Sequence, residues 1–223
     1  MKKYLLILFL AALGQPAAFC QTEGDDIPPE VFYLMPEFGQ GSVFFQGKSP
    51  YPGLLNICAI DGSVRYKDAA GAEHVILDDG TLSGVNIGDA GFVVKDGAML
   101  RLYPLNFQVS VAVQRKVDLR LDVKMGAYGM ETRTASIQEY GGFNSRGLTY
   151  TLDAVRHKPY KVYEIRYLYT GGKTQPFNKK NCQKVFPDHK DAIDAWFKAH
   201  KDPLAVPVEE VLEACRTWAG AVE

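Results

Sequence analysis

Between Ser42 and Leu102 the chain is broken about every ten residues by turn-forming clusters: Gly47 to Pro52, Asp61-Gly62, Asp68 to Gly71, Asp79-Gly80, Gly88 to Gly91 and Asp96-Gly97. Asp-Gly pairs tolerate the positive φ angles that tight hairpins need, so their recurrence predicts sequential antiparallel strands. The expected architecture is a β-meander or small barrel. No sequence repeat underlies the spacing, which argues against a propeller or solenoid.

Two longer strands follow. From Phe107 to Val123, Phe107, Val109, Val111, Val113, Val117, Leu119, Leu121 and Val123 share one parity, while Lys116, Asp118, Arg120 and Asp122 hold the other. That alternation predicts one face on a core and one in water, with the charged row discouraging edge-to-edge association. Lys161 to Tyr169 has the same form. There Tyr163, Ile165, Tyr167 and Tyr169 read as the core side, with Glu164 and Arg166 opposite. Between the two strands, a glycine-rich stretch at about 125–147 reads as a long loop, of the kind that more often carries function than core elements do.

After about residue 176 the period becomes helical. Asn178 caps an expected helix carrying Cys182, Val185 and Phe186, and Pro187-Asp188 restarts the chain into a second with Ile193, Trp196 and Phe197. Pro207 opens a third, whose stripe of Val208, Val211, Leu212, Cys215, Trp218 and Val222 must be buried. The expected fold is thus α+β: mainly antiparallel β, then a C-terminal group of about three helices at 176–223 packed on the sheet. Residues 21–41 form a lead-in and 42–175 the β region.

Residues 1–20 read as a secretory leader. Lys2 and Lys3 precede an apolar run from Tyr4 to Leu13, and Gly14, Pro16, Ala17 and Ala18 supply the break and small residues before cleavage. Cys20 suits either a cleavage position or the acylated cysteine of a lipoprotein; Phe19, bulky where a lipobox wants a small residue, favours export without the lipid. The apolar run falls short of the roughly 20 residues that span a bilayer, and no later segment approaches that length. No transmembrane segment is expected in the mature chain, which would sit in the periplasm or at the cell surface. The formal net charge is −1, and −3 once Lys2 and Lys3 leave with the leader. Without a basic block to meet a row of phosphates, nucleic acid is not an expected partner. Of Cys58, Cys182 and Cys215, the last two lie on neighbouring expected helices and are the candidates for a disulfide, against the alternative of three buried thiols.

Several short stretches carry a resemblance: Val43 to Gly53 with Leu54-Leu55-Asn56, Ile87-Gly88-Asp89, Val113-Gln114-Arg115-Lys116, Ala127-Tyr128-Gly129, Asn178-Lys179-Lys180 and Val185-Phe186-Pro187. Together these resemble a family of exported Bacteroidetes proteins, a domain of unknown function. The resemblance implies export and a bacterial source, and brings no catalytic residues.

The chain has no Gly-x-Ser-x-Gly elbow, His-Glu-x-x-His site, phosphate loop, dinucleotide fingerprint or EF-hand loop, so no catalytic residue, metal ligand or cofactor is assigned. His189 and His200 flank the second expected helix about 16 Å apart along its axis, too far to share one ion. What remains is the glycine-rich stretch and its rings, Tyr128, Tyr140, Phe143 and Tyr150, near Arg133 and Arg146. Rings offered from a loop could stack on a glycan or grip an envelope protein; the competing role is to cover the sheet edge. The function expected is binding or envelope assembly. The alternative is an enzyme, a hydrolase whose site is assembled from scattered residues.

Overall fold

The computed structural model describes residues 28–119, 142–145, 148–151 and 160–220. A short helix, α1 (Pro29–Phe32), leads into seven strands: β1 (Gly39–Phe45), β2 (Tyr51–Ile57), β3 (Val64–Lys67), β4 (Glu73–Ile76), β5 (Leu82–Ile87), β6 (Ala90–Lys95) and β7 (Ala98–Pro104). Then come β8 (Val109–Leu119), a small hairpin of β9 (Gly142–Ser145) and β10 (Leu148–Thr151), β11 (Tyr160–Thr170) and β12 (Lys173–Pro176). Three helices close the chain: α2 (Lys179–Val185), α3 (Lys190–Ala199) and α4 (Val208–Trp218), with a 3₁₀ turn at Pro187–His189. The α+β fold expected from the sequence is the one found.

Ten strands form one antiparallel sheet in the order β12-β11-β8-β7-β6-β5-β1-β2-β3-β4. Most of the turn signals act where the sequence puts them, but Tyr51-Pro52 of the first cluster and Ala90-Gly91 of the fifth belong to β2 and β6, where they pair in the ladder. Between β6 and β7, Asp96 and Gly97 both adopt positive φ (50° and 76°), as a two-residue hairpin matched to strand twist requires.

The sheet is strongly curled. Laid flat, β8 and β2 would lie roughly 24 Å apart, five strand spacings. Instead Val117 of β8 and Tyr160 of β11 share a buried cluster with Cys58 and Ala59, just past β2, and with Val31 and Phe32 of α1. A Cβ built on Gly62, in the β2–β3 turn, would touch the Gly97 carbonyl of the β6–β7 hairpin at 3.4 Å. Curling stops short of closure: among the described strands, β4 and β12 each have a neighbour on one side only.

One face of this sheet carries two further clusters. Val43, Leu55, Ile57, Val64, Val85, Ile87, Phe92 and Met99 fill the concavity of β1 to β7. Farther along the same face, Val111 and Val113 of β8 and Leu168 of β11 receive Cys182, Phe186, Ile193, Val211, Leu212, Cys215 and Trp218 from the helices. The helical stripes are therefore buried on the sheet, as their period demands. Asn178 caps α2, its side chain accepting from the Asn181 amide at 2.9 Å, and Pro207 immediately precedes α4.

Two strand expectations need correction. Phe107 is 94% exposed in the bend before β8 and takes no part in the apolar face. In β11 the expected sides are reversed: Arg166 and Leu168 are buried beneath the helices, while Tyr163 faces away and is exposed. The register decides this, because Arg166 and Leu168 lie opposite Val113 and Val111, both of which sit in the core under the helices. Arg166 is tolerated there because its guanidinium donates to the carbonyls of Pro203 and Val206, each at 2.6 Å, and lies 3.4 Å from Glu164. The stretch expected to be one long loop ends in structure: Phe143 of β9 and Tyr150 of β10 are register partners.

Candidate functional site

At the β4 end of the curled sheet the concave face opens into a groove of about 380 Å³. Strand parity builds it. Tyr51, Gly53 and Leu55 succeed one another on one side of β2; Leu55 lies opposite Tyr66 of β3, and Tyr66 opposite His74 of β4. Leu55 forms the buried floor, and the missing side chain at Gly53 leaves the hollow between it and Tyr51. Phe45, Tyr66, Ile76 and Leu77 complete the apolar wall. Around this rim Tyr51 is 53% exposed, Tyr66 36% and Leu77 85%.

The rim is ordered by ring contacts and one ion pair. Phe45 and Tyr51 meet edge to face at 5.8 Å, and Tyr66 stacks on His74 at 5.0 Å. Nε2 of His74 is 2.8 Å from Oδ2 of Asp68. That contact, followed by the Ala72 amide, holds the Asp68 carboxyl below its ordinary range. At the mouth, Nζ of Lys48 donates to Oδ2 of Asp79 at 2.7 Å and lies 5.1 Å from the Phe45 ring centre. The lysine contact first, and the Thr81 hydroxyl and amide next, depress Asp79 to about 2. The paired charges leave the mouth polar but close to neutral.

Behind the groove, β3 and β4 are fixed by a buried ionic cluster. The Arg65 guanidinium lies 3.3 Å from Glu73 and 3.8 Å from Asp61, and its Nε donates to the Ser63 hydroxyl at 3.0 Å. Tyr33 donates its hydroxyl to Glu73 at 2.8 Å; burial, then this bond, raises its phenol pKa. The lead-in chain is pinned by buried Asn56, whose side chain accepts from the amides of Met35 and Ile57 and donates to the Met35 carbonyl. These groups satisfy one another and stiffen the support.

Of the rings favoured from sequence, Tyr128 and Tyr140 lie outside the described residues, and Phe143 and Tyr150 sit on β9 and β10. Cys20 and the leader also lie outside them. Cys182 and Cys215, the candidate pair for a disulfide, are brought together in one core cluster, where both are free thiols. Burial pushes the Cys58 and Cys182 thiols up to about 12 and raises Cys215 further. Among the described residues no group of three or more His, Cys, Asp or Glu side chains could hold a metal ion, and no helix is long and apolar enough to cross a membrane.

Sequence reasoning missed Tyr51, Tyr66 and Leu77. The available signal was Tyr51-Pro52-Gly53, a large ring and a bare glycine on one parity with Leu55, but Gly47 to Pro52 reads as a turn cluster and so hides the first residues of β2. Compared with family models, curated proteins and solved structures, the chain matches none of them.

Proposed function

We propose that this chain is an exported binding or assembly module of a bacterial envelope, and that it recognises its ligand through the groove between β1 and β4. The observation that carries the reading is the exposure of Tyr51, Tyr66 and Leu77 together around one hollow. Single exposed apolar side chains are ordinary, whereas a clustered set around a concavity marks a binding surface. The rings are held by neighbours and the back of the strands is locked, so little ordering entropy opposes binding. Residues 1–20 and the likeness to the exported Bacteroidetes family support the location; periplasm or cell surface both fit, and Phe19 before Cys20 favours export without a lipid there.

Peptide and glycan arrays probed with the full mature chain test the proposal. Ligands that bind should lose at least about tenfold in affinity, or ~1.4 kcal/mol, on Tyr51→Ala, which strips the wall, and on Gly53→Leu, which plugs the hollow. Both variants should melt close to the parent. Ligands that bind both variants as tightly as the parent would refute the groove, and turnover of a hydrolase panel would favour an enzyme instead.

A further inference from the structure

We infer that β4 is the docking edge for an extended strand of a partner polypeptide, whose alternate apolar side chains enter the adjoining groove. The inference rests on the groove reading and goes further by naming the ligand's chemistry. It comes from where the backbone hydrogen bonds of the edge point.

In the β3–β4 hairpin the Asp68 amide donates to the Ala72 carbonyl at 3.0 Å, which makes these two a hydrogen-bonded pair. Antiparallel pairing alternates, so Tyr66 with His74 and Val64 with Ile76 are the next bonded pairs. Glu73 and Val75 then turn their N–H and C=O groups away from β3. The other side of β3 gives the same phase independently: the Cys58 amide donates to the Ser63 carbonyl at 2.9 Å, so Arg65 and Lys67 spend their backbone groups on β2. Among the described residues, nothing bonds the outward groups of Glu73 and Val75.

The opposite edge of the sheet is blunted. On β12 the Phe177 amide donates to the Arg166 carbonyl at 3.0 Å, which puts Pro176 in an outward position. Proline has no N–H to offer, and the Pro176 carbonyl already accepts from Nδ2 of Asn181 at 2.8 Å. Proteins protect edges in this way against unwanted pairing. Among the described residues β4 carries no such proline, and it is the edge beside the aromatic groove.

Strand addition needs both features found here. Backbone groups supply register, and pockets for every second side chain supply selectivity. Two outward residues offer two donors and two acceptors, so an added strand depends on the groove for the rest of its affinity. Side chains on the groove side of that strand would lie beside His74 and Ile76, facing Tyr66 and Leu77.

The test is selection of a displayed random dodecapeptide library on the full mature chain, followed by synthesis of the enriched peptides. Enriched peptides should carry apolar residues at alternate positions. They should lose at least tenfold in affinity when alternate backbone amides are N-methylated, and should slow hydrogen exchange of the Glu73 and Val75 amides but not of His74. Val75→Pro removes an outward N–H without touching the β3 ladder and should weaken them similarly. No enrichment overturns the inference. So do peptides indifferent to N-methylation, or self-association of the chain through β4 in sedimentation. Ligands that keep full affinity for Val75→Pro but lose it on Gly53→Leu would overturn strand addition and leave the groove standing; indifference to Gly53→Leu and Tyr51→Ala would remove the groove as well.

Discussion

Arg166 should act as the pin that holds the α3–α4 connection to the sheet, and Arg166→Met tests it. The side chain is 4% exposed and its two terminal nitrogens donate to the Pro203 and Val206 carbonyls at 2.6 Å. Charge-assisted bonds of this kind contribute about 1.5–3 kcal/mol each, a gross loss of roughly 3–6 kcal/mol. Part of that returns. Among the described residues the buried Nε has no partner, so the wild-type side chain already carries a desolvation cost of about 1–3 kcal/mol that methionine would not. Glu164, 3.4 Å away and about a third exposed, adds at most ~1 kcal/mol after solvent screening. The expected net loss is about 2–3 kcal/mol, or roughly 5–10 °C in Tm for a domain of this size. Urea denaturation should show a lower midpoint at unchanged slope. Trypsin should cut the variant after exposed Lys201 under conditions that spare the parent, because that peptide adjoins the freed loop. A loss under about 0.5 kcal/mol, or an equal loss on Glu164→Gln, would refute the assignment of the pinning to the two carbonyls.

The three buried thiols should resist iodoacetamide in the native protein at pH 8 and react fully once unfolded, since burial raises their pKa values far above that pH; stoichiometric labelling of the folded chain would contradict this. Asp79 should titrate near pH 2, and Lys48→Met should return it toward the ordinary carboxylate range of about 4. Because its folded pKa is depressed, its stabilising contribution is present above about pH 4 and is lost as pH falls toward 2. A carboxyl titration by NMR that is unmoved in Lys48→Met would show that the ion pair is not the cause.

Features that depend on neighbours a few residues apart were legible in the chain. The Asp96-Gly97 hairpin, the Asn178 cap and the stripe through Val211, Leu212, Cys215 and Trp218 all arise from backbone preference and side-chain period, and all lie where the sequence puts them. The groove was not legible for the same reason. Tyr51 and Leu55 share a parity, yet one stands at the exposed rim and the other is buried, a difference set by how far the curled sheet extends over each.

β11 draws the boundary most clearly. Period-two alternation states that its two sides differ, and that much the amino acids determine alone: strands first, helices after, a wet side and a dry one for each. Which side is dry belongs to the tertiary structure. Apolar tyrosines made the wrong side look like the core, but pairing in register with Val111 and Val113 placed Arg166 and Leu168 beneath the helices, and two backbone carbonyls from the α3–α4 loop met the guanidinium there. Those partners are 37 and 40 residues away in sequence. No local pattern carries contacts of that separation, so burial of the charge, the place of β4 at the end of the described sheet and the aromatic hollow were all decided when the sheet curled and the helices docked.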